Sequence, residues 1–131
     1  MSKSRYDLLI QKSVILLNEA LKDREIGCYN KSVSALWFSI ENIIKAILLK
    51  NRGSYPSRVG SLINLIAREI KKLGGNKIAI RYMRELYNDR RDADHSTMII
   101  DENRCEMDLK KAITILNTLR ELFKLDITFP L

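Results

Sequence analysis

The chain has 131 residues, 46% of them hydrophobic, with two prolines and five glycines. It fits a single domain with a substantial core, and disordered and collagen-like classes are excluded. Lysine and arginine number 23 against 16 aspartate and glutamate, a formal charge of +7, which favours anionic partners such as nucleic acid without singling one out.

The longest uninterrupted apolar runs, such as residues 14–17 and 46–49, cover four residues, whereas a membrane span needs about 20. Gln11 and Lys12 break the N-terminal apolar stretch, where a secretory signal would be continuous. The expectation is a cytoplasmic protein with no membrane contact.

Five segments carry the helical period. The first, over 5–23, places Tyr6, Leu9, Ile10, Leu17 and Leu21 at three- and four-residue spacings, widened by Val14, Ile15 and Leu16. Ser4 with Asp7 has capping-box geometry. Gly27 interrupts, and Asn30 is expected to cap the next helix. That second helix, over 31–49, has the broadest apolar stripe: Val33, Leu36, Trp37, Ile40, Ile43, Ile44, Ile47 and Leu48. Phe38 and Ala46 add apolar surface on other faces, so this helix is expected to be central or to contribute to a subunit interface. Trp37 and Phe38 are first of all core residues.

Residues 51–56 form a linker. The third helix, over 59–72, carries Val59, Leu62, Ile63, Ile66, Ala67 and Ile70, and Gly74 and Gly75 stop it. Asn76 is placed to cap a fourth helix over 77–92, with Ala79, Tyr82, Met83, Leu86 and Tyr87 on its apolar side. The fifth, over 103–124, follows a cap at Asp101 and carries Leu109, Ala112, Ile113, Leu116, Leu119, Leu122 and Phe123. Its tail is apolar and ends F-P-L, suited to docking on the bundle or on a partner. No strand alternation or internal repeat is evident. Short linkers suit an all-α, up-and-down bundle of four to five helices.

Cys28 and Cys105 stand far apart with no CxxC pair, and the chain has one histidine, so neither a metal site nor another cofactor is indicated. Two reduced thiols in or near the core are the plain reading, a single disulfide the alternative. Lys71, Lys72 and Lys77 read as solvated surface. No continuous basic face marks a DNA-recognition helix.

The chemically suggestive string is L-Y-N-D-R-R-D-A-D-H, residues 86–95. In RNA the ribose 2′-hydroxyl is an internal nucleophile, so cleavage needs a proton-transfer group and a cation at the phosphate. Histidine serves the first need, and the planar guanidinium fork of arginine the second. On a continuous helix Arg90 and His95 lie about 140° apart and diverge, whereas Arg91 and His95, four apart, share a face. A bend near residues 92–95, or a symmetric dimer, would bring Arg90 to the imidazole. The bland alternative is a solvated helix end in which Asp94 pairs with Arg90. Glu41 is read as solvent-facing and paired with Lys45, with Arg90 or Arg91 as alternative partners across a cleft.

The stretch S-A-L-W-F-S-I-E-N-I-I-K-A-I-L-L (residues 34–49) and the string at 86–95 together resemble the HEPN superfamily, particularly small prokaryotic members that accompany a minimal nucleotidyltransferase. The family signature, arginine followed after four to six residues by histidine, is met by Arg90-x4-His95. The resemblance implies a helical bundle that dimerises with these motifs facing each other. It also implies metal-independent endoribonuclease activity of a toxin or defence kind. Carried over, Arg90 contacts the phosphate, His95 transfers protons, and Asp94 or Asp92 orients the imidazole or holds Arg90. Many catalytic relatives carry Asn or Asp after the arginine and tyrosine two places after the histidine, where this chain has Arg91 and Thr97. Other members read R-x-x-A-D-Y and act as noncatalytic modules that bind a nucleotide or a nucleotidyltransferase partner.

Overall fold

Five helices follow the apolar periods in a computed structural model that describes residues 3–131: α1 (Arg5–Glu25), α2 (Tyr29–Arg52), α3 (Val59–Lys72), α4 (Lys77–His95) and α5 (Glu102–Leu122). Met1 and Ser2, which open the stretch weighed as a secretory signal, lie outside the described residues. Three expected caps form. Ser4 accepts the Asp7 N–H at 3.1 Å, Asn76 that of Ile78 at 2.9 Å and Asp101 that of Arg104 at 2.8 Å, each supplying an acceptor that the first helical turn lacks.

α1 runs on to Glu25 and α5 spans Glu102–Leu122, each within two residues of the sequence reading, and three further helix ends differ from it. α2 begins two residues before 31 with Cys28 as its cap, and Asn30 lies inside the helix, its amide bonded to the end of α4 and to the loop before α5. The same helix runs on through Asn51 and Arg52 until Gly53, at φ 82°, turns the chain in the left-handed region open to glycine. α4 continues past 92 to His95, and the Ser96 N–H and hydroxyl both return to the Asp92 carbonyl.

α2 is the axis of the bundle and packs against all four other helices, while α4 also packs on α3 and α5. Trp37, Ile40, Ile43, Ile44, Ile47 and Leu48 are buried there, joined by Leu62, Ile66 and Ile70 of α3, Met83 and Leu86 of α4, and Ile115, Leu116 and Leu119 of α5. By length and apolarity α2 would pass for a membrane-spanning helix, but 78% of its most apolar window is buried inside the bundle. Its breadth of apolar surface is thus accounted for by contact on several sides.

α1 packs on α2 through small residues. The Ser13 hydroxyl donates to the Ser39 carbonyl at 2.7 Å and the Ser39 hydroxyl to the Ser13 carbonyl at 2.8 Å, while Ser32 donates to the Ala20 carbonyl at 2.7 Å. These groups are buried, and the reciprocal bonds satisfy hydroxyls that would otherwise be costly to bury. After α3, Gly74 adopts φ 69°, and a Cβ on Gly75 would collide with Leu122 and Ile70. After α5 the tail folds back, burying Leu125 and Phe129, with the Arg120 guanidinium over the Phe129 ring. Both cysteines are unpaired thiols, Cys105 fully buried and Cys28 partly so.

Candidate functional site

Because α4 stays helical to its end, residues 88, 91, 92 and 95 form one stripe at i, i+3, i+4 and i+7. Asn88, Arg91, Asp92 and His95, with Ser96, line an open concavity of about 550 Å³. His95 is exposed, and among the described residues its imidazole makes no side-chain hydrogen bond or ion pair. Arg91 is exposed too, its guanidinium carbon 5.9 Å from the Tyr87 ring centroid; Tyr87 in turn meets buried Trp37 at 5.3 Å. The aromatic pair gives Arg91 a firm base under a solvent-facing cation.

Arg90 points elsewhere. Its guanidinium lies 4.7 Å over the Phe38 ring of α2, and its Nε sits 3.1 Å from Asp94 Oδ2, a charge contact rather than an aligned hydrogen bond. Asp94 also accepts from the Ser34 hydroxyl at 3.1 Å. The structure therefore sets His95 and Arg91 on one face and pairs Arg90 with Asp94; it does not join Arg90 with His95. The physical reason is the uninterrupted helix, which carries five residues about 140° around its axis. Asp92 is half-buried on the His95 stripe, where its carbonyl anchors Ser96.

Glu41 corrects the sequence reading. It is only 8% exposed, paired with Lys45 at 3.4 Å, and lines a separate groove with Lys12, Phe38 and Asn42. Among the described residues it pairs with neither Arg90 nor Arg91. Phe38 is half-buried and carries the Arg90 cation, whereas Trp37 belongs to the core.

Beneath the stripe lies a buried charge network that sequence reading missed. Asp89 is bound by Arg104 through two guanidinium nitrogens, one of them at 3.0 Å. Asp108 is fully buried with no donor on either carboxylate oxygen, and the nearest cation, Lys111, is 3.9 Å away and shared with Glu85. Burial, together with the neighbouring Asp89 carboxylate, pushes the Asp108 carboxyl up to about 8. Burial also works to raise Asp89, but the Arg104 guanidinium bonded to it outweighs this and holds Asp89 below the usual range. Of the two neighbouring carboxyls, Asp108 is therefore the one driven toward its protonated form, and Asp89 the one kept charged. The signal was present in the sequence as an acid at the centre of the apolar run Cys105, Leu109 and Ala112. Asn88 was likewise legible from its seven-residue spacing to His95.

The stripe can offer a phosphodiester a guanidinium and an ionisable imidazole from adjacent turns. Among the described residues, no group of three histidine, cysteine, aspartate or glutamate side chains is placed to hold a metal ion. No curated protein matches the chain. The HEPN domain family model matches residues 6–122, all five helices included, and the chain belongs to that family.

Proposed function

We propose that this protein is a metal-independent endoribonuclease of the cytoplasm, acting as a homodimer in a toxin or defence setting. One observation carries the reading: an exposed imidazole, His95, shares an open face with the guanidinium of Arg91. In the reaction the 2′-hydroxyl attacks the adjacent phosphorus, the 5′-oxygen leaves, and a 2′,3′-cyclic phosphate remains. His95 transfers the proton, and Arg91 neutralises charge gathering on the phosphate oxygens. Arg90, the arginine of the Arg-x4-His motif, faces away from His95 in its own chain and reaches the phosphate from the second copy of the dimer, exchanging the Asp94 carboxylate for it, the two acceptors being chemically alike.

Dimerisation is supported by exposed apolar side chains next to this face. Ile99 is 87% exposed, with Met98 and Met107 beside it. The concavity is lined from α4 and the Ser96 that follows it, and a second copy seated on the neighbouring patch would supply a facing wall. The test is incubation of purified dimer with varied RNAs in excess chelator. Cleavage to cyclic-phosphate ends is expected, with loss of activity in His95→Ala. Activity persisting in that variant would end the assignment.

A second reading, a noncatalytic module for a nucleotide or a minimal nucleotidyltransferase, draws on the pairing of Arg90 with Asp94 and Phe38 away from His95. Absence of cleavage by dimeric protein, with retained nucleotide or partner binding, would select it.

A further inference from the structure

His95 is the last residue of α4, where helices ordinarily fray because the terminal carbonyls have no intrahelical donor. Here the end is tied down from a distance. The side-chain amide of Asn30, in the first turn of α2, donates to the Ala93 carbonyl at 3.1 Å and to the Met98 carbonyl at 3.1 Å. Its oxygen accepts the Ile100 N–H at 2.9 Å. One amide thus binds the backbone two residues before the histidine and three and five residues after it. Ser96 adds a local tie, donating to the Asp92 carbonyl at 2.6 Å and accepting the Met98 N–H at 3.0 Å.

We infer that Asn30 is a positioning residue for His95, fixing the direction of the imidazole by clamping the backbone on both sides of it; this rests on the nuclease reading above. The anchor is rigid because α2 is the most buried helix of the bundle and Asn30 lies two residues from its cap. The chemistry required is specific. Two donors and one acceptor must come from one planar group, which among side chains of this size only a primary amide supplies. Aspartate keeps the acceptor for Ile100 but turns negative charge on two carbonyl oxygens. Arg91, one turn earlier on α4, is held by the helix ladder and by Tyr87, so it does not depend on this clamp. Loss of Asn30 should therefore disturb proton transfer more than phosphate binding.

The chain has a single histidine, so its imidazole signals in NMR are unambiguous and report on position without any activity. Asn30→Ala and the near-isosteric Asn30→Asp are compared with the wild-type chain. Expected are a broadened imidazole resonance shifted toward the free-histidine value and about tenfold faster amide exchange over residues 94–100, with exchange in the middle of α2 unchanged. In RNA cleavage kcat should fall about tenfold while KM stays within about twofold. An imidazole resonance and loop exchange identical to wild type in Asn30→Asp would overturn the inference. So would equal losses in kcat and KM that follow global stability. If the wild-type protein cleaves no RNA, the nuclease reading fails while the NMR comparison still decides whether Asn30 orients His95. If Asn30→Ala does not fold, Asn30→Asp alone decides.

Discussion

The guanidinium of Arg90 rests on the Phe38 ring, 4.7 Å from its centroid, and with Asp94 alongside this contact fastens the last turns of α4 to α2. A cation over an aromatic face with most of its side chain covered contributes about 1 kcal/mol, and the partly covered ion pair adds a similar or smaller amount. Arg90→Ala is therefore expected to lower the melting temperature by about 3–8 °C. Arg91→Ala, at an exposed position, should leave melting within about 1–2 °C and reduce RNA cleavage. Differential scanning calorimetry beside cleavage assays separates the two; equal effects on melting would remove the distinction between the arginines.

The buried Asp108–Asp89 pair makes stability depend on pH. Asp108 in the folded protein holds its proton up to about 8, whereas in the unfolded chain it releases it near the ordinary carboxylate value. Its contribution is complete below the unfolded value and is lost as pH rises through about 8, at up to about 1.4 kcal/mol per pH unit. Asp89, held low by Arg104, works in the opposite sense and is felt only in acid. Asp108→Asn keeps the size of the side chain and removes the titrating proton. Urea unfolding should find this variant more stable than wild type at pH 9, the gap closing toward pH 5. A constant gap would show that Asp108 does not titrate as described.

Ile99 stands 87% exposed between Met98, whose carbonyl is tied to Asn30, and buried Ile100. Holding an isoleucine outward in an anchored loop beside the His95 face suits contact with a second copy. For the dimer proposed above, Ile99→Asp combined with Met107→Glu is expected to leave only monomer in analytical ultracentrifugation, where the unsubstituted chain sediments as a dimer. Monomer stability should stay within about 0.5 kcal/mol. A dimer surviving both substitutions would place the interface elsewhere.

The reciprocal bonds between Ser13 and Ser39 join α1 to the rest of the bundle. Each single alanine substitution removes a hydroxyl donor from a buried partner and should cost about 1–2 kcal/mol. The double variant should cost less than the sum by about 0.5–1 kcal/mol, because the hydroxyls also contact each other at 3.0 Å. Chemical denaturation of the four proteins measures this coupling, and strict additivity would contradict it.

Helix number, the caps at Ser4, Asn76 and Asp101, and the apolar character of α2 were all legible locally, because caps and 3.6-residue periods depend on neighbours a few positions away. The same holds for the stripe shared by Arg91 and His95, which follows from a spacing of four once the helix is continuous. Asn30 shows where such reading ends. Asparagine before an apolar run has the local signature of a cap, yet its side chain bonds to residues 93, 98 and 100. Glu41 has the local signature of a surface pair with Lys45, which it makes, but packing covers it.

By itself the sequence determined an all-helical chain carrying the HEPN pattern, with a histidine and two arginines near the end of its fourth helix. Tertiary structure alone decided that Arg90 turns to Phe38 while Arg91 stays on the His95 face, that Asp108 is buried beside Asp89, and that Asn30 bonds the backbone before and after the histidine. Those outcomes depend on which groups distant in sequence meet when α2 is enclosed by the other helices, and burial then sets the protonation and direction that spacing leaves open.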